Sequence, residues 1–195
     1  MSRLKPLKPE EMNAEQLKYH EMIMARPIFK DLAKNSPLEG PYDAWVRSPD
    51  LMQSLLPYAR YVREGGVLEA RLVELAIITV GRVWSAEFEF AAHAVYAVKA
   101  GIDPEIVEAI ERNEIPEFEK DDEAAVYRFA KELTSMYRVE DETYRAALEQ
   151  IGEQGVVELI ALMGLYVMVC MTLNAFEVPL MEGMKKPFAG KGGVG

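Results

Sequence analysis

Residues Glu69–Gly101 read EARLVELAIITVGRVWSAEFEFAAHAVYAVKAG. Extended back to Val67, the first half places Leu68, Leu72, Leu75, Ala76 and Thr79 at intervals of three and four, the spacing of one helix face, and Gly81 weakens the pattern near its end. A second helix is expected from about Ser85, with Ser85 as N-cap and Glu87 in the first turn. It closes on Gly101, with Pro104 just beyond. Two well-marked helices in succession point to a helical fold class.

Outward from these two helices the chain stays helical. Further helices are expected over 103–113, 121–136, 141–152 and 155–175, each of the first three opening on an acidic residue. Upstream, AWVRSPDLMQSLLPYARYVREG predicts two short helical pieces interrupted by Pro49 and Pro57. Before it, NAEQLKYHEMIMA is a helix that Asn13 would cap. No strand-like alternation and no repeat is present, so the expectation is an all-α bundle. Its organisation reads as an N-terminal arm (1–40), a helical domain (41–182) and a flexible tail (183–195). The tail's GKGGVG is glycine-rich like a phosphate loop, but it has no strand before it and no helix after it.

Composition excludes several classes. The 195 residues carry a net charge of -10 spread along the chain, which disfavours phosphate backbones, so no nucleic acid is expected. The start of the chain lacks the apolar stretch of a secretory signal, and the single Cys170 cannot form an internal disulfide; both favour the cytoplasm. The longest uncharged run, 159–173, falls short of the roughly 20 residues that span a bilayer and reads as a buried helix, with no membrane partner expected.

The chemistry centres on three residues. Glu89 and His93 stand at i and i+4, one helical turn apart, where a carboxylate reaches an imidazole. Glu74 interrupts the apolar helix before them and needs a partner: Arg71, Arg82 or His93. Burial against a carboxylate would tune such a histidine toward general acid–base work, while a surface or core-satisfied pair is the plainer alternative. A metal is not expected, because the carboxylate-bridged bundles use Glu-x-x-His repeats absent here. Cys170 sits in an apolar run with no base nearby in sequence, and His20 reads as packing.

The run from Glu69 through EIVEAI resembles the core of the carboxymuconolactone decarboxylase family, which shares the all-helical fold of the alkylhydroperoxidase D (AhpD)-like proteins. Glu74, His93, Ala97 and Gly101 fit its pattern of a glutamate on one helix followed by H-x-x-x-A-x-x-x-G on the next. GPYDAWVRSPDLMQSLLPYARYVR looks like the family's upstream segment and VVELIALMGLYVMVCMTLNAFEVPL like its last helix, so the resemblance runs from about Leu38 to Leu180. The peroxidase members carry Cys-x-x-Cys at the start of the histidine helix, where this chain has Ala86 and Glu89. Glu89, Phe90 and His93 instead match the cysteine-free branch, with Phe90 where Trp is more usual.

The resemblance implies a cofactor-free lyase acting on a small molecule, a carboxylated lactone or related acid from aromatic-compound breakdown. It implies His93 as the proton-transfer residue, with Glu89 or Glu74 orienting it. Arg47 would hold a substrate carboxylate and Tyr42 and Trp45 would wall the pocket, unless Arg47 simply pairs with Asp43 or Asp50. The family's assemblies are homo-oligomers, trimers or hexamers. A non-catalytic binding or assembly protein on the same fold is the alternative reading, and a peroxidase borrowing an external thiol the least favoured.

Overall fold

The computed structural model describes residues 2–26, 29 and 32–188. It is all-helical, with no strand among the described residues. In chain order the α-helices are α1 (Ala14–Met24), α2 (Tyr42–Trp45), α3 (Pro49–Arg60), α4 (Ala70–Val83), α5 (Glu87–Ala100), α6 (Pro104–Glu111), α7 (Asp121–Met136) and α8 (Asp141–Ala175). A five-residue π-helical turn, Tyr61–Gly65, continues α3.

The central element is α4, which packs against α5, α6, α7 and α8. Every residue from Leu72 to Arg82 is buried, so the single apolar face expected from periodicity is an all-round one. Leu72, Val73, Ala76, Ile77 and Val80 enter the main core, which α8 supplies with Leu159, Leu162, Val169 and Leu173. Leu75 and Ile78 face a second cluster with Phe90, Ala97 and the apolar side of α6.

Several local expectations are corrected. Ser85 does not cap α5: its N–H donates to the Arg82 carbonyl while that of Ala86 donates to Gly81, a Schellman closure of α4 that puts Ser85 in the left-handed region (φ 48°). Pro57 lies inside α3 rather than ending it, since a proline costs the helix one backbone bond that the surrounding packing outweighs. Pro49 starts that helix at its first turn, where a missing N–H costs nothing. By contrast, the division expected between helices at 141–152 and 155–175 is present, as a break in α8 at Gly152 (φ 69°, ψ 174°). Asn13 likewise caps α1 by accepting from the Gln16 N–H, and Gly101 closes α5 at φ 104°.

The N-terminal segment lies on the helices. The Arg3 N–H donates to the Phe176 carbonyl, and Tyr19, Ile23, Phe29 and Leu38 join the main core. At the other end Phe188 packs on Phe90 (5.1 Å between ring centroids) and under the Arg82 guanidinium; the remainder of the tail, 189–195, lies outside the described residues. By length and composition α8 could cross a membrane, yet 56% of its apolar window is buried against the protein itself.

Gly81 faces the Phe90 backbone across the α4–α5 hairpin. A Cβ there would stand 3.4 Å from the Phe90 backbone nitrogen, ordinary contact for one methyl and no room for more. Gly81→Ala is therefore expected to be nearly neutral, and Gly81→Leu to lose about 2 kcal/mol through overpacking, read by urea denaturation.

Candidate active site

Glu74 on α4 and Glu89 and His93 on α5 converge inside the hairpin, with relative exposures of 7%, 3% and 9%. The imidazole lies between the carboxylates: Nδ1 is 2.6 Å from Glu74 Oε2 and Nε2 is 3.1 Å from Glu89 Oε1. The Glu74 contact spans two helices, and the Glu89 contact is the single-turn pair that the i, i+4 spacing predicts. Tyr166 of α8 stands edge-on to the imidazole, 5.3 Å between centroids at 83°, and Tyr96 tilts against it at 5.9 Å.

Burial alone would push the imidazole down, but the charge of Glu89 and the hydrogen bonds to both carboxylates outweigh it and lift His93 to a pKa of about 9. His93 is thus an imidazolium at neutral pH, hydrogen-bonded through Nδ1 to Glu74 and ion-paired through Nε2 with Glu89. Because the folded pKa lies above the ordinary 6.5, the ion cluster stabilises the fold fully below pH 6.5 and loses that contribution as pH rises through about 9. Thermal denaturation should show this loss between about pH 7 and 9.5 in the native chain and not in His93→Asn.

A fourth charged group was not anticipated from sequence. Arg63, carried by the π-helical turn, brings Nη2 to 3.6 Å from Glu74 Oε1. Burial works against its charge, but the surrounding Tyr166, Glu74, Tyr42 and Glu64 more than offset this and hold its pKa above the usual guanidinium value. Tyr166 was also missed; burial pushes its phenol well up, so it is a neutral hydroxyl. With His93 protonated, two cations face two carboxylates and the cluster is neutral.

Of the other predicted residues, Arg47 and Trp45 are engaged elsewhere and Tyr42 lies beside the cluster. Arg47 donates to the Asp43 and Lys5 carbonyls and pairs with the Asp43 carboxylate at 3.1 Å, and no hydrogen bond or ion pair joins it to Glu74, Glu89 or His93. Its partner is Asp43, one of the two carboxylates weighed above, which lies on α2 one turn before it. Trp45 is buried and donates through Nε1 to Thr172, and Tyr42 accepts from Arg26 while lying near enough to act electrostatically on Arg63 and Tyr166. Of the partners proposed for Glu74, Arg71 turns to Asp122 and Glu123, and Arg82 to the Glu111 carbonyl.

Among the described residues, no group of three or more His, Cys, Asp or Glu is placed to hold a metal ion. The two carboxylates lie on opposite edges of the imidazole, so their oxygens do not converge with a ring nitrogen on one point. Burial, aided by Glu89, pushes the Cys170 thiol far up, so it is held as a neutral thiol. His20 is packing, its Nε2 2.8 Å from the Ser36 carbonyl oxygen.

Solved structures share this arrangement of helices. The chain is similar to the AhpD core of an uncharacterized peroxidase-related protein from Ralstonia eutropha JMP134, with a TM-score of 0.72 at 12% identity over 93% of each chain. The fold is that of the AhpD core. A second neighbour, an uncharacterized peroxidase-related protein from Silicibacter sp. TM1040, gives 0.68 at 12% identity, covering 93% of this chain and 90% of that one. The debrominase Bmp8, as a cysteine-to-alanine variant in complex with 2,3,4-tribromopyrrole, gives 0.70 at 16% over 93% of this chain and 95% of that one. No protein-family model matches the chain, and no curated protein matches it. The AhpD-like scaffold thus hosts proteins described in different terms, and chemistry has to be argued from the cluster itself.

Proposed function

We propose that the chain is a cofactor-free lyase that decarboxylates a small carboxylated lactone or related ring acid, with His93 as the proton donor. The observation that carries this reading is the buried imidazolium held between Glu74 at 2.6 Å and Glu89 at 3.1 Å. Glu74 fixes the ring through Nδ1, the orienting role of the third member of a triad. Nε2, on the longer contact, is the nitrogen that faces substrate.

In the reaction the bond between ring carbon and carboxylate breaks, carbon dioxide leaves, and the electron pair spreads into the ring carbonyl as a dienolate. The Nε2 proton of His93 then passes to carbon, and solvent restores it through Glu89. A group with a pKa of about 9 keeps its proton at neutral pH and still releases it to a more basic carbanion. The debrominase's complex with a bromopyrrole supports a small planar ring as the kind of ligand this fold admits.

A thiol-based peroxidase is disfavoured by the residues present, since Ala86 and Glu89 occupy the Cys-x-x-Cys positions and Cys170 is held as a neutral thiol. A non-catalytic role has one observation in its favour, the carboxylate that each imidazole nitrogen finds within the chain. Exposed Val157, Ile160 and Met171 on α8 support assembly into a homo-oligomer, a trimer or hexamer in the family it resembles, which light scattering would measure.

The deciding assay is carbon dioxide release from freshly generated carboxymuconolactone and a panel of related lactone acids. Release above the spontaneous rate is the expected result. None from any member of the panel would favour the binding-protein reading.

A further inference from the structure

We propose that Arg63 is the receptor for a carboxylate that the substrate keeps through the reaction, the role that sequence alone offered to Arg47. This inference rests on the acid–base reading of the cluster above.

The π-helical turn delivers Arg63 into the site. Such turns insert an extra residue into the helical ladder and re-aim a side chain, and they recur at functional sites. What arrives is an arginine with its hydrogen-bonding capacity unspent. Its Nε is buried without a partner, and Nη2 is 3.6 Å from Glu74, a charge contact longer than a hydrogen bond. A guanidinium offers five donors in a planar fork, and here Nε is buried without an acceptor while the side chain as a whole keeps 32% exposure, so the fork can be reached by an external oxyanion.

Other arginines around the fold are spent. Arg47 is taken by Asp43 and the Lys5 carbonyl, Arg71 by Asp122 and Glu123, and Arg82 by the Glu111 carbonyl and the face of Phe188. Arg63 alone among these combines contact with the Glu74–His93 pair and an empty fork.

Its position selects which substrate carboxylate it holds. Arg63 meets Glu74, on the Nδ1 edge of the imidazole, whereas the donated proton leaves from Nε2 on the Glu89 edge. A group bound by Arg63 therefore lies away from the reacting carbon. Chemistry agrees: an arginine that clamped the departing carboxylate would stabilise a charge that disappears in the transition state and slow its loss.

The test uses the full chain carrying a carbon-13 label at histidine Cε1, in which only His20 and His93 contribute resonances. Benzoate is the probe, and benzamide its uncharged counterpart. Benzoate should shift the His93 resonance saturably while His20, bonded to Ser36, stays put, and benzamide at equal concentration should shift neither. Arg63→Gln should weaken benzoate binding by about tenfold or more, with Arg63→Lys between the two because the charge remains and the fork is lost. An unmoved His20 resonance in both variants reports a retained fold.

Benzoate binding that survives Arg63→Gln, equal binding of benzamide, or no saturable shift in the native chain would each overturn the proposal. Failure of the catalytic reading looks different. Arg63-dependent benzoate binding without carbon dioxide release would leave an anion receptor and remove the lyase, whereas release with an unchanged KM in Arg63→Gln would do the reverse.

Discussion

His93→Ala should lower turnover by about 10²- to 10⁴-fold, the range spanned by a positioned general acid. No described neighbour supplies a second imidazolium at this position. Glu74 and Glu89 would face each other across the vacated space as buried carboxylates, and the neutral phenol of Tyr166 is a far weaker acid. Glu89→Gln and Glu74→Gln then separate the edges of the ring. Glu89→Gln removes the carboxylate that contributes most to raising His93, so the alkaline limb of the pH–rate profile should move down from about 9. Glu74→Gln keeps a hydrogen-bond acceptor at Nδ1 but loses its charge, and it also leaves Arg63 without its counter-ion. A structural ion cluster would behave otherwise: the three variants would share a loss of melting temperature, and turnover per folded molecule would hold. Measuring rate and folded fraction on the same samples therefore assigns the cluster.

How much of this was legible in the sequence follows from the kind of signal each residue leaves. Glu89 and His93 were readable because helical spacing is local, and Glu74 because a carboxylate in an apolar helix needs a partner. The partner itself required the tertiary fold, since Arg71, Arg82 and His93 were equivalent until α4 had neighbours on every side. Arg63 left no periodic signal, because a π-helical turn breaks the count of three and four on which helix reading depends, and Pro57 had already marked the segment as interrupted. Tyr166 was hidden in an apolar run where a tyrosine reads as packing; a polar hydroxyl there is the one hint that the run met something other than lipid-like core. Ser85 shows the reverse error. A serine before an acidic turn reads as an N-cap, yet the link between α4 and α5 is so short that the same residue had to serve as the closing turn of α4.

The largest expected effect on stability lies one turn before Glu74. Arg71→Ala should destabilise the fold by roughly 3 kcal/mol and lower the melting temperature by about 6–12 °C. Arg71 ties α4 to α7 through Asp122 and through Glu123 at 2.9 Å, and Glu123 is only 3% exposed. Losing the arginine strands a buried carboxylate, which costs more than the pair itself contributes, because burial removed the water that would otherwise solvate it. Lys120 still reaches Glu123 at 2.9 Å, which places the effect at the lower end of the range for broken buried pairs. Its ammonium stands on the exposed side, so it cannot replace the contact from α4. The double replacement Arg71→Met with Glu123→Leu should recover much of the loss, since two apolar groups leave no stranded charge, and urea denaturation of the three variants would show it. A loss of less than about 1 kcal/mol in Arg71→Ala would mean that Lys120 alone keeps Glu123 satisfied. In either case the catalytic consequence should be small, because Glu74 is held to His93 by the hairpin with α5, whereas the tie from Arg71 runs to α7.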